Sequence, residues 1–294
     1  MMADKHIVEV DVGDGNLHVA HWPGDGPDLL LVHGISGSHL SWGPVVKALP
    51  EGAFNIFAPD LRGRGASNGL EGPYGLERHV DDLCKVINML CRKPVALAGH
   101  SMGAYIGAVF GASRPEYLSR LVLVDGGIAL LLPDGMQPET LLEKVLGPGL
   151  KRLALTFEDR AAYHEFWRQH PAFADASEWN DDVEAYFDYD LEGTPPTLKS
   201  RVREAAVRRD GLDPMQPEMV KMIDRVPTPM LMLTAVRGLL NQPDPLMPVT
   251  AVAAKVAAID HLQWVEIADT NHYSITLGRG AVETAGHIAG FAGA

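Results

Sequence analysis

Cysteine is nearly absent from this chain. Cys84 and Cys91 are the only two in 294 residues, too few to staple a disulfide framework. They stand seven apart in a stretch that reads as one helix, which suits free thiols in a reducing compartment. Positive charge is scarce as well. Lys and Arg total 25 against 38 Asp and Glu, a formal net charge of −13, and no run of basic residues exceeds two. A chain of this kind has no electrostatic footprint for a phosphate backbone and gains nothing from an anionic bilayer, so neither nucleic acid nor membrane is an expected partner. No apolar run approaches the roughly 20 residues of a membrane span. The stretch from Met1 to Val12 carries Asp4, Lys5, His6 and Glu9, so it has no signal-peptide core, and a cytoplasmic location is expected. Zinc-ligand spacings, a Gly-rich phosphate loop and a dinucleotide fingerprint are all missing. His164 and His170 stand six apart with no third ligand nearby, so no metal and no cofactor are expected.

Hydrophobic residues make up 46% of the sequence and charged residues 21%, which is ordinary for a soluble globular protein able to build a full core. Between Ile7–Val12 and Leu17–His21, Gly13, Asp14 and Gly15 give a hairpin signal. Short apolar runs follow at Leu29–Val32, Asn55–Ala58, Val95–Ala98 and Leu121–Val124, and later at Met230–Leu233 and Trp264–Ala268. Runs of this length fit strands buried on both faces of a parallel sheet. Helical spacing appears between them at Trp42–Leu49, Leu76–Leu90, Met102–Ser113, Val249–Ile259 and Ala281–Phe291. Strand and helix in alternation predict an α/β protein, a mostly parallel twisted sheet with helices on both faces. Residues 128–225 break the rhythm. They hold no convincing strand but many aromatics, and roughly 100 such residues cannot be a loop in a compact domain. They are expected to form short helices inserted as a cap, with residues 1–127 and 226–294 as the core.

The chemistry concentrates in Val95 to Ala104. A buried strand runs into Gly99-His100-Ser101-Met102-Gly103, and a helix rich in small residues follows. That is the layout of a nucleophile elbow: a strained turn lifts the serine hydroxyl out of the sheet, and the glycines admit neighbouring backbone. Earlier, strand Leu29–Val32 ends in His33-Gly34-Ile35-Ser36-Gly37. Acyl transfer needs two donors aimed at one oxygen. The amide of Met102 would be one, and that of Ile35 in the His-Gly-x turn the other.

With these two segments, Asp60-Leu61-Arg62-Gly63-Arg64-Gly65-Ala66-Ser67 and Asn271-His272-Tyr273 complete a set that resembles the α/β-hydrolase superfamily with a serine nucleophile. The four segments fall in that family's order along nearly the whole chain. The resemblance implies the α/β-hydrolase fold, a structural role for Asp60, Arg62 and His100, and His272 as the base that takes the Ser101 proton. The acid departs from the common pattern. In Pro229 to Gly238 the position where most relatives carry aspartate is Gly238, and the next carboxylate is Asp244. Asp125, at the end of the preceding strand, is the alternative and the preferred one, since some relatives carry the acid there. His33, Trp42, Trp167 and Tyr186 are expected to line the substrate site, within a larger aromatic set from the cap.

The function expected is hydrolysis of a carboxylic ester or related acyl bond (ester, lactone or thioester) in a small to medium hydrophobic substrate, through an acyl-enzyme. Acyl transfer or C–C hydrolysis at the same serine, and a ligand-binding receptor with a vestigial triad, are the alternatives. A small-molecule acyl substrate is the expected partner, and a homodimer stays open.

Overall fold

Side chains alternate across each central strand of the computed structural model, and this alternation builds two apolar layers from one sheet. The structure describes residues 5–293; Met1 to Asp4, part of the stretch to Val12 read as having no signal-peptide core, lie outside it. The sheet comprises β1 (His6–Asp11), β2 (Asn16–Trp22), β3 (Asp28–Val32), β4 (Asn55–Pro59), β5 (Val95–His100), β6 (Leu118–Val124), β9 (Met230–Ala235) and β10 (Leu262–Ile267). A two-residue pair, β7 (Leu191–Glu192) and β8 (Lys199–Ser200), stands apart from it. The strand order is β1-β2-β4-β3-β5-β6-β9-β10. β2 pairs antiparallel with both β1 and β4, and every other neighbouring pair is parallel.

On one face, Leu30, Val32, Leu97, Leu121, Leu123, Met230 and Met232 pack against Val80, Leu83, Val86 and Ile87 of helix Leu76–Leu90 and against Ile106 and Phe110 of helix Met102–Ser113. On the other, Leu29, Leu31, Ala96, Ala98, Val122, Val124, Leu231 and Leu233 meet Val45 and Val46 of helix Gly43–Ala48 and Ala285 and Ile288 of helix Ala281–Ala292. The strand and helix expectations hold to within a few residues at each end. Cys84 lies within helix Leu76–Leu90 and Cys91 just beyond its end, both half-buried and free.

Between β6 and β9 the chain leaves the sheet for helices Pro138–Leu146, Arg160–Arg168, Asp181–Asp190 and Glu204–Asp210 and several shorter turns. One expectation needs correcting here. The segment carries the β7–β8 pair and a bridge between Phe157 and Leu198, so it is not free of strand. Its aromatics condense into a cluster of their own. Trp167 stacks on Phe187 with ring centroids 4.4 Å apart, and Tyr163, Phe173 and Val183 close around them. Among the described residues no helix is long and apolar enough to cross a membrane.

Candidate active site

The turn after β5 is strained and held from all sides. Ser101 has φ 54° and ψ −119°, a left-handed conformation that disfavours a residue with a Cβ. Its amide donates to the Val124 carbonyl at 2.9 Å, and its carbonyl accepts from Ala104 at 2.9 Å as the helix begins. Neighbouring backbone leaves no room for side chains. A Cβ at Gly99 would lie 2.1 Å from the Gly103 carbonyl oxygen, and one at Gly126 would lie 2.5 Å from that of Ser101.

Asp125 follows β6 directly, with a φ of 48°, and is fully buried. Its amide donates to the Leu233 carbonyl at 2.7 Å. One carboxylate oxygen accepts from the Ala235 amide at 3.2 Å, and the other lies 2.6 Å from Nδ1 of His272. Asp244 is exposed. A Cβ at Gly238 would lie 2.0 Å from Nε2 of Gln242, so an aspartate there would first have to displace that side chain. The structure thus brings Asp125 to His272.

The loop carrying His272 is fastened on two sides. The Asn271 side-chain oxygen accepts from the amides of Tyr273 and Ser274, both at 2.9 Å, and its Nδ2 donates to the Ala172 carbonyl of the inserted segment at 3.0 Å. Nε2 of His100 lies 2.9 Å from the His272 carbonyl. Burial and the neighbouring His272 hold the His100 pKa well below the usual value. It is therefore neutral and donates through Nε2, so His100 supports the loop.

Ser101 and His272 share a cavity of about 30 Å³, with Ile35, Ser36, Gly37, Leu146, Tyr186 and Tyr273 in its walls. A second cavity, of about 40 Å³, opens on Ser101 beside Ile35 and Met102. Its walls include Tyr105, Leu130, Leu142, Val145, Leu146, Leu239 and Leu246. Met102 is the first residue of its helix, so its N–H has no carbonyl one turn earlier in that helix. The turn at Gly34 is closed by a bond from the Gly37 amide to the Gly34 carbonyl at 3.1 Å, leaving the Ile35 amide outside that bond.

Three expected lining residues sit elsewhere. Trp42 is buried in the apolar layer on the far face of the sheet, edge-on to His100 at 6.4 Å. Trp167 belongs to the inserted segment's own aromatic core. His33 is locked within the main chain: its Nδ1 lies 2.8 Å from the Gly34 carbonyl, and its Nε2 accepts from the Leu61 amide at 2.9 Å. Only Tyr186 of the four lines the Ser101–His272 cavity. The aliphatic lining was overlooked, although Leu142, Val145 and Leu146 recur at helical spacing.

Burial, opposed by the nearby Asp60 carboxylate, lowers the His33 pKa to about 4, and burial aided by Arg152 lowers that of His170 to about 4. Each binds a proton more readily in the unfolded chain, whose histidines titrate near 6.5. Their contribution to stability is complete above about pH 6.5 and is lost as pH falls through about 4. Melting temperature should therefore drop by on the order of 5 °C between pH 7 and 4.5, and His33→Gln should flatten that slope. A melting temperature constant over that range would refute the assignment.

A model of the alpha/beta hydrolase family matches residues 29–285. The chain belongs to that family. Among curated proteins, an uncharacterised protein of Mycobacterium tuberculosis is 32% identical over 104 residues, covering 35% of this chain and 30% of that one. Lipase LipV of the same organism is 31% identical over 132 residues, covering 45% of this chain and 48% of the relative. The (E)-2-((N-methylformamido)methylene)succinate hydrolase of Acinetobacter baylyi is 31% identical over 113 residues, covering 38% and 43%. The chain thus spans less than half the length of each of these relatives. The crystal structure of E-2-(acetamidomethylene)succinate hydrolase superposes with a TM-score of 0.80 at 22% identity, covering 98% of this chain and 99% of that one. An alpha/beta hydrolase from Novosphingobium aromaticivorans superposes at 0.75 with 18% identity, covering 99% of each chain. At these identities the superpositions speak for the fold.

Proposed function

We propose that this hydrolase cleaves a carboxylic ester, thioester or lactone of a small to medium hydrophobic acyl compound through an acyl-enzyme on Ser101. The observation that carries the reading is the buried 2.6 Å contact between Asp125 and His272, with His272 facing the same cavity as a serine held in a strained strand–helix turn. Ser101 attacks the acyl carbon as Nε2 of His272 takes its proton. Asp125, on the other ring nitrogen, fixes the tautomer and stabilises the imidazolium. The amides of Ile35 and Met102 receive the oxyanion. His272 then protonates the leaving group, and water activated by the same imidazole releases the acid.

Residues 128–225 act as the cap over a core of 1–127 and 226–294. Among the described residues, neither cavity at Ser101 is lined by Lys or Arg. This favours an apolar acyl group over the charged succinate derivatives named for some relatives. Cavities of about 30 and 40 Å³ hold only a water or two, so they must widen for a substrate to bind.

A fluorophosphonate probe should add once, at Ser101, by intact mass and peptide mapping, and Ser101→Ala should take no label. Short-chain p-nitrophenyl esters should then be turned over by the wild type. Folded wild-type protein that takes no label and hydrolyses none of them would sink the reading.

A further inference from the structure

One buried guanidinium touches both residues assigned to the oxyanion, and it belongs to neither of their turns. Arg64 is fully buried in the loop after β4. Its Nε donates to the Ile35 carbonyl at 2.8 Å, and Nη1 donates to the Arg62 carbonyl at 2.8 Å. Nη2 faces the Met102 sulfur at 3.8 Å. The remaining contact comes from the inserted segment: Nη1 donates to Asp210 at 2.6 Å. Asp210 ends helix Glu204–Asp210 and is also fully buried. It accepts in addition from the Gly75 amide at 2.6 Å, with Nε2 of His79 at 2.9 Å. Asp210 therefore grips the start of helix Leu76–Leu90 while it holds Arg64. The Arg203 amide, which donates to the Gly63 carbonyl at 2.9 Å, fastens the start of helix Glu204–Asp210 to the Arg64 loop.

Ile35 follows β3 and Met102 begins the helix after β5, so their relative placement is a tertiary matter that neither turn decides alone. Oxyanion donors must be held to within about half an ångström to be effective. A planar fork with fixed donor directions can impose that geometry, whereas a lysine's point charge cannot. Because Asp210 faces it, the pair carries no net charge, and its contribution is placement rather than field.

We propose that Arg64 is a positioning residue for the reaction, setting Ile35 against Met102, and that Asp210, reaching in from the inserted segment, holds the fork in that orientation. The proposal rests on the acyl-transfer reading above.

The test compares wild type, Arg64→Lys and Asp210→Asn with p-nitrophenyl butyrate and a fluorophosphonate. Arg64→Lys should lose between ten- and a hundredfold in kcat, with KM within about threefold and the pH–rate midpoint unmoved, since His272 and Asp125 are untouched. The rate of Ser101 labelling should fall in parallel. Asp210→Asn should show the same pattern, weaker. Wild-type kcat in a folded variant of either kind, or a change confined to KM, overturns the proposal, and failure of both variants to fold overturns it in favour of a purely structural pair. Wild-type protein whose Ser101 takes no label removes the acyl-transfer reading itself, and this inference with it.

Discussion

Asp125→Asn should lower kcat about 10⁴-fold while leaving the fold intact. The carboxylate is buried and its two oxygens are both engaged, one by the Ala235 amide and one by Nδ1 of His272. An amide at that position is nearly isosteric but can turn its NH2 toward the imidazole. Nδ1 would then have to accept, which moves the ring proton to Nε2, where it blocks removal of the serine proton. The loss should therefore appear in kcat with KM nearly unchanged, and the fluorophosphonate labelling rate should fall with it. Asp244 is the control. It is exposed on the loop after β9, and Asp244→Asn should retain activity within about threefold, as an ordinary surface substitution would. If Asp244→Asn lost activity while Asp125→Asn kept it, the acid would be misassigned and the loop would have to reorganise around His272 during turnover.

Sequence made the scaffold readable because buried parallel strands write themselves as unbroken apolar runs. Leu76–Leu90 and Met102–Ser113 were legible to the residue for a related reason: the first alternates apolar and polar faces, and the second is a run of small and apolar residues between Ser101 and Arg114. The elbow was legible because its glycines are forced by backbone contacts that no other residue permits. The interior of the inserted segment was a different matter. Composition reveals that Trp167, Tyr163 and Phe187 are apolar but cannot say whether they face a ligand or one another. Here they face one another, because the two short helices that carry them, Arg160–Arg168 and Asp181–Asp190, lie off the sheet and bury their apolar faces against each other and their neighbours. His33 was misleading for the opposite reason: an imidazole at a strand end reads as chemistry, yet both its nitrogens serve the local main chain. Arg64 and Asp210 stand 146 residues apart, and no local pattern marks either as the other's partner. Contacts of this kind become visible only once the chain has folded.

Gly103→Ala should cost on the order of 4 kcal/mol or more, lowering the melting temperature by more than about 10 °C or abolishing soluble expression. A Cβ at this position would stand 2.1 Å from the Val32 carbonyl oxygen and 2.9 Å from that of His33. Both are main-chain atoms of β3 or its end, so neither can swing aside as a side-chain tip would. The helix would have to back away from the sheet, carrying Ser101 and Met102 with it and opening the gap to Ile35. Any protein that still folds should therefore lose Ser101 labelling more steeply than its remaining stability suggests. Gly286→Ala provides the contrast. Gly286 lies within helix Ala281–Ala292, and nothing stands within 4 Å of where its Cβ would go. Helix propensity alone then acts, and the substitution should stabilise by about 0.5–1 kcal/mol. Equal melting temperatures for the two variants would mean that the close approach of the helix to β3 contributes nothing, and with it the physical basis for a glycine two residues after Ser101 would fall.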